Sequence, residues 1–244
     1  MSAVRLFCTS VVIGEKTLSK EESHHLVGVL RAKPGRSLVL FDGVGTEASA
    51  TLLRIERRTA VVRVASLAHR DFELDHRVTL AVAVGKQTRH AYMIEKCTEL
   101  GVRAVWPLIA ERSVTHPGVT AIDKWRRRAI EAVRQSGRAW VPEIRSVQTL
   151  ADVVGRAPGF AADAYCDVNT GGKPIRAFFD EARAQCDVLL LVGPEGGWSD
   201  HERNEARAKG LEPVLLGPTT LRTETAAVAV CAGAASACRF SAGA

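Results

Sequence analysis

Two short glycine-rich segments hold the residue types best suited to chemistry in this chain. The first is Gly193-Pro194-Glu195-Gly196-Gly197. The second runs Gly217-Pro218-Thr219-Thr220-Leu221-Arg222-Thr223-Glu224-Thr225. Each comes after an apolar run, Val188–Val192 or Pro213–Leu216, and precedes a stretch with helical character. Glycine lets a backbone approach a ligand closely, and a helix start offers N–H groups with no partner inside the helix. Taken singly, each loop accounts for itself as a turn. Two such loops behind neighbouring strands describe a pocket, because ligands in open parallel sheets bind beyond the carboxyl ends of the strands. No G-x-G-x-x-G follows a strand and no Walker A sequence occurs, so this is not a familiar dinucleotide or phosphate site. Neither G-x-S-x-G nor H-E-x-x-H is present, which argues against serine hydrolysis and zinc proteolysis. The adjacent pair His24-His25 points its rings in different directions and reads as surface or RNA-facing, not as a metal motif. No metal is expected. The cysteines stand at 8, 97, 166, 186, 231 and 238, with no C-x-x-C pair and no zinc spacing. A reduced, cytoplasmic compartment is expected.

The elements that must position these loops change rhythm along the chain. The first part reads as short strands, Val11–Ile13, Ser37–Phe41, Ala48–Ile55 and Ala60–Val64, punctuated by Pro34-Gly35 and Asp42-Gly43. One helix interrupts them, opened by Ser19 with Glu22 as a capping box and carrying Leu26, Val29 and Leu30 on its apolar face. That pattern predicts a small β-barrel-like domain. The polar stretch Ala68–His76 is the expected linker. From Val78 onward, apolar strands alternate with helices: Val78–Val84, a helix with Met93, Cys97 and Leu100 ending at Gly101, then Val102–Leu108. Next come a basic helix over Ala121–Ser136, strands Phe160–Tyr165 and Val188–Val192 around a helix near Ile175–Gln185, and a helix capped by Ser199 and Glu202. Strand Pro213–Leu216 and a final helix Thr223–Ala237 complete the series. This alternation predicts an α/β domain with a mainly parallel sheet.

The 244 residues have ordinary globular composition, 46% hydrophobic and 25% charged, but an excess of bases: net charge +6, with 25 Arg and eight Lys. A basic balance suits a polyanionic partner such as nucleic acid. Coding bias toward Arg on solvated faces would look the same. The helix around 124–138 concentrates six bases against the single acid Glu131. The longest apolar stretch, Ala226 to Ala235, is too short to span a bilayer, and Leu6 to Ile13 makes a poor signal peptide. No membrane association is expected.

The motifs become specific when read together. Leu191-Val192-Gly193-Pro194-Glu195-Gly196-Gly197 and Leu215-Leu216-Gly217 with Leu221-Arg222-Thr223-Glu224-Thr225-Ala226 resemble the two glycine-rich signatures of the ribosomal RNA small subunit methyltransferase E family, a member of the SPOUT class. Further likeness runs through Arg5-Leu6-Phe7, His24-His25-Leu26, Val29-Leu30-Arg31, Lys86, Lys96-Cys97-Thr98-Glu99-Leu100-Gly101-Val102, Glu111-Arg112-Ser113, Gln135-Ser136-Gly137-Arg138 and Val141-Pro142-Glu143. One departure stands out: the family commonly has Glu before the Gln-Ser pair, and here the residue is Arg134.

The resemblance implies a PUA-like β-barrel RNA-binding domain over 1–72 and a SPOUT-type α/β methyltransferase domain with a trefoil knot over 73–244. It implies a homodimer that methylates N3 of one uridine in small-subunit ribosomal RNA, using S-adenosylmethionine. Leu191, Gly193, Pro194, Glu195, Gly196, Leu216, Gly217, Leu221, Thr223 and Ala226 are then the expected cofactor contacts. Arg222 is the expected cation that steadies a uracil anion, and Glu224 a candidate base. Glu195 and Glu224 also have a plainer use, as acids near a helix start. Arg5, His25, Arg31, Lys86, Arg112, Arg126 and Arg138 are the expected RNA contacts. Two other readings remain: another SPOUT enzyme acting on tRNA or a ribose 2′-hydroxyl, and a catalytically silent RNA-binding assembly protein.

Overall fold

Four of the five strands in the first part alternate or cluster apolar residues so that one face can be buried. The computed structural model describes residues 4–182 and 186–238. Within it, β1 (Val4–Phe7), β2 (Gly14–Thr17), β3 (Ser37–Phe41), β4 (Thr46–Glu56) and β5 (Thr59–His69) form a sheet in the order β1-β3-β4-β5-β2. Only the β1–β3 pair is parallel. The buried face gathers Leu6, Leu38, Leu40, Leu52, Val62 and Val64 with Leu18 and Leu26. The second strand differs from expectation: Val11–Ile13 is irregular and partly exposed, and Gly14–Thr17 pairs with β5 instead. Helix α1 (Lys20–Ser23) continues as a wider π-type turn over His24–Val29. Ser19 Oγ accepts from the Glu22 N–H at 3.1 Å, so half of the expected capping box forms. The Glu22 carboxylate turns instead to Arg134, 2.7 Å away, and both side chains are almost fully covered.

This pair gives Arg134, the residue that departs from the family pattern, a partner inside the protein. Contacts gather the described chain up to Glu73, together with Val133–Val141, into one compact unit, and the remainder into a second. Within the first unit, Arg5 pairs with Glu47 at 2.6 Å and donates to the Arg138 carbonyl. Arg138 pairs with Glu73 at 3.0 Å. Desolvation raises the Glu22 pKa, although Arg134 opposes the shift. Removing either partner of such a covered pair costs about 3–5 kcal/mol, because the other charge is left buried alone.

The second unit is built on an eight-stranded parallel sheet. Its strands are β6 (His76–Ala83), β7 (Ala104–Ile109), β8 (Glu143–Ile144), β9 (Gln148–Thr149), β10 (Ala162–Cys166), β11 (Lys173–Pro174), β12 (Cys186–Val192) and β13 (Glu212–Leu215). The order is β11-β13-β10-β12-β6-β7-β8, with β9 also on β7. Strands β6 and β12 are central and buried along nearly their whole length, as continuous Val/Leu/Ala runs require when helices cover both faces. Helices α2 (Gln87–Glu99), α3 (Ala121–Ser136), α4 (Leu150–Val154), α5 (Ile175–Glu181), α6 (Asp200–Ala208) and α7 (Thr223–Ala237) complete it, apart from the end of α3 from Val133 onward, which belongs to the first unit. Gln185, the expected end of α5, lies outside the described residues. Helix α2 buries Met93, Ile94 and Cys97 and packs on α7, whose inner face is Ala226, Ala227, Val230, Cys231 and Ala234. Gly101 stops α2 at φ +94°, where a Cβ would lie 2.6 Å from the Leu74 side chain. No helix among the described residues is long and apolar enough to cross a membrane.

Candidate active site

In the order β13-β10-β12, the carboxyl ends of three parallel strands lie side by side, and a loop leaves each. The loop after β12 is Gly193–Gly197, the loop after β13 carries Leu216–Leu221, and the loop after β10 is Asp167–Asn169. All three line one cavity, with Trp198, Thr223 and Ala226 also in its lining. Every expected cofactor contact lines it except Leu191. That side chain is fully buried in the core with Ala81, Tyr165 and Leu189, and Val192 reaches the cavity in its place. Successive strand residues turn their side chains to opposite faces, and the Leu191 side chain takes the core face.

The first loop is held from several directions. Gly197 N–H donates to the Pro194 carbonyl at 2.8 Å, with Gly197 at φ +69°. A Cβ on Gly193 would lie 2.9 Å from the Trp198 indole. Trp198 Nε1 donates to the Cys166 carbonyl at 3.0 Å, tying this loop to the end of β10. Arg112 donates to the Gly196 carbonyl at 3.0 Å. Beyond the loop, a complete capping box fixes the start of α6: Ser199 Oγ accepts from Glu202 N–H, and Glu202 accepts from Ser199 N–H at 2.8 Å. The other Glu202 oxygen accepts from the Glu111 N–H at 2.9 Å, which sets the segment carrying Arg112.

The second loop is looser. A Cβ on Gly217 would meet nothing within 4 Å. Thr219, Thr220 and Arg222 are exposed. Thr223 closes the loop by donating its hydroxyl to the Gly193 carbonyl at 3.0 Å, so the two loops are hydrogen-bonded to each other. Arg222 sits at the N-cap of α7, and Glu224 in its first turn. Neither side chain is in the cavity lining.

One residue that the motifs did not single out joins these parts. Arg89, on the first turn of α2, contacts Glu195 at 2.7 Å and Glu224 at 3.6 Å. It bridges a carboxylate from each glycine-rich segment. Beside it, His90 packs on Trp125 with ring centroids 4.1 Å apart, and burial pulls its pKa down to about 4. Asp167, also unanticipated, pairs with Arg203 of α6 at 2.6 Å and accepts from the Asn169 N–H, shaping the third loop. No local sequence signal marks Arg89 or Asp167.

The expected RNA contacts divide into two groups. Arg31, Lys86, Arg112 and Arg126 are exposed, and His25 is half-buried in the π-type turn. Arg112 and Arg126 also make internal bonds, to the Gly196 and Ile144 carbonyls. Arg5 and Arg138 are largely covered and use their guanidinium groups inside the first unit, on Glu47 and Glu73. Among the described residues no group of His, Cys, Asp and Glu is arranged to hold a metal.

The cavity suits a nucleoside-like ligand. Val192, Leu216, Leu221 and Ala226 offer apolar surface for a flat ring. The backbone of Gly193–Gly197 offers hydrogen-bonding groups, and Thr219, Thr220 and Asn169 give a polar margin. The space left by the missing Gly217 side chain keeps one wall open.

Comparison with known proteins agrees with this geometry. An RNA methyltransferase domain model matches residues 72–235, and an RNA methyltransferase PUA domain model matches residues 18–65. The chain is 34% identical to a ribosomal RNA small subunit methyltransferase E of Synechocystis, over 86% of this chain and 69% of that protein. It is 34% identical to the protein of that name from Mycobacterium bovis, over 88% and 83%. Among solved structures, a Legionella pneumophila protein in complex with the bound cofactor SAM superposes with TM-score 0.88 at 31% identity, covering 97% of this chain and 98% of that one. A ribosomal RNA small subunit methyltransferase E of Neisseria gonorrhoeae bound to S-adenosyl methionine gives TM-score 0.82 at 27% identity, covering 95% and 96%.

Proposed function

Because the chain belongs to the ribosomal RNA small subunit methyltransferase E family, we propose that it methylates N3 of one uridine in 16S ribosomal RNA with S-adenosylmethionine as methyl donor. The observation that carries this reading is the single cavity formed by the two hydrogen-bonded glycine-rich loops. Val192, Leu216, Leu221 and Ala226 would hold the adenine, with the Gly193–Gly197 backbone bonding its polar edge. When bound, the cofactor supplies an electrophilic methyl group on a sulfonium. The chain's own task is to place uridine N3 in line with that methyl, and positioning of this kind supplies much of the rate in a displacement.

Uridine N3 carries a proton at neutral pH and is a poor nucleophile until it is lost. Arg222, exposed beside the cavity-lining Leu221 and Thr223, is the cation that steadies the resulting anion. Glu224 accepts the proton or orients the group that does. Arg89 is a positioning residue, fixing Glu224 relative to Glu195. The target base must leave its stack or be unpaired already to enter such a site. Residues 1–72 serve RNA binding and 73–244 catalysis, the latter threaded as a trefoil knot. The protein works as a cytoplasmic homodimer, and the partner subunit completes the exposed side of Arg222.

Calorimetric titration with S-adenosylmethionine, paired with transfer of labelled methyl to 30S subunits purified from cells lacking this gene, tests the reading. Binding and incorporation are both expected. Cofactor binding without incorporation into any ribosomal substrate would contradict the proposed target. RNA binding without cofactor binding would point to a silent assembly protein.

A further inference from the structure

The hairpin between β4 and β5 turns through only two residues. Glu56 pairs with Thr59, so Arg57 and Arg58 form the whole loop. Both have left-handed backbones, φ +45° and +70°. A two-residue turn of this hand favours Asn-Gly or Gly-Gly, because a side chain crowds the backbone there. The only other described non-glycine residue with positive φ is Arg31, at +51°. All three strained positions are therefore arginines, and all three are exposed in the N-terminal unit.

Nothing among the described residues accounts for arginine at the hairpin tip. Neither Arg57 nor Arg58 makes an ion pair or side-chain hydrogen bond among the described residues. The nearby carboxylates are already engaged: Glu15 by Arg54 and Arg63, and Glu56 by Arg54. Arg5, Arg54, Arg63 and Arg70 of the same unit all sit on ordinary backbone, and each has a carboxylate partner. Strain without an internal contact to stabilise it is a mark of residues kept for function.

We propose that the Arg57–Arg58 tip is a contact for RNA phosphates, and that arginine is retained at these strained positions for that contact. Two adjacent guanidinium forks on a paired hairpin match neighbouring phosphate oxygens. Contacts of this kind anchor and orient the RNA without reading its sequence. The inference rests on the reading that the substrate is RNA.

The test is the double variant R57N/R58G, which supplies the turn sequence the backbone favours and removes both charges. Its thermal midpoint should rise by about 4 °C, and its affinity for S-adenosylmethionine should not change. Its affinity for a 16S rRNA transcript should fall about tenfold at ~100 mM KCl, and the slope of log Kd against log [KCl] should shrink by roughly 1.5 to 2. The charge-preserving R57K/R58K should keep the wild-type slope. An unchanged slope in R57N/R58G would overturn the proposal, and a lowered midpoint would contradict the strain on which it stands. A loss seen with intact 30S subunits but not with the transcript would overturn it too, and assign the tip to a ribosomal protein. Wild-type protein with no salt-dependent RNA binding would defeat the RNA reading itself, a different outcome from a wild-type slope that the variant shares.

Discussion

The two glycine-rich loops look alike in sequence and are held very differently. In the first, Gly193 lies against the Trp198 indole, Gly196 is bonded by Arg112, and Gly197 closes a turn on Pro194. In the second, the space beside Gly217 is open, and Thr219, Thr220 and Arg222 are exposed. The first loop is a fixed wall, in which Gly193 and Gly196 make room for the Trp198 and Arg112 side chains. In the second, the proposed function gives the open space beside Gly217 to the ligand. On that proposal the same residue type serves packing in one loop and recognition in the other.

That contrast can be broken most forcefully at Trp198. Trp198→Ala removes the side chain that buttresses Gly193 and ties it to Cys166, and should cost about 3–5 kcal/mol in denaturant unfolding. A near-neutral result would mean the first loop is not held by packing. A second test uses pH. His90, next to Arg89, has a pKa of about 4 in the folded protein against an ordinary 6.5, because burial disfavours its charged form. The unfolded chain therefore takes up the proton first. Its stabilising contribution is complete above about pH 6.5 and falls as pH drops toward 4, by about 3 kcal/mol in all. His90→Phe should flatten that part of the stability profile, while an unaltered slope would place the acid sensitivity elsewhere.

The glycines themselves sharpen the comparison. Gly193→Ala should cost about 1–3 kcal/mol of stability through overpacking on Trp198. Gly217→Val should leave the unfolding midpoint in place and weaken S-adenosylmethionine binding about tenfold or more, read by calorimetry. Equal stability losses at both sites would erase the distinction. A stability effect smaller than those at Trp198 and Gly193 belongs to the link between the loops. Thr223→Val should cost about 1 kcal/mol, the ordinary value of one hydrogen bond.

Much of this is legible in the residues. Ser199 with Glu202 announces a helix start and becomes a full capping box. The apolar runs behind both loops become parallel strands β12 and β13. The illegible part depends on choices that local patterns leave open. A strand buried on both faces has no polar residue to set its phase, so by sequence Leu191 and Val192 are equally able to face the cavity. Val11–Ile13 has the better strand composition, yet Gly14–Thr17 makes the pairing with β5, a choice that register and turn geometry decide. Arg89 stands 106 residues before Glu195, and no spacing rule connects them. Glu22 and Arg134 are likewise distant, so Ser19 and Glu22 read as a complete capping box until Arg134 is seen to claim the carboxylate.

The charge excess also acquires structure. Arg5 and Arg138 serve internal pairs, while Arg31, Arg57 and Arg58 remain exposed on strained backbone. An arginine count alone does not separate the two uses.

The central claim is the reaction and its target atom. The most direct measurement is mass spectrometry of nucleosides from 16S rRNA of cells lacking this gene, before and after the 30S subunits are incubated with the protein and S-adenosylmethionine. The account predicts that 3-methyluridine is absent before and present after, and that the Arg222→Ala protein, folded and binding cofactor, does not restore it. No new methylated nucleoside, or one methylated at a ribose or another base position, would contradict it.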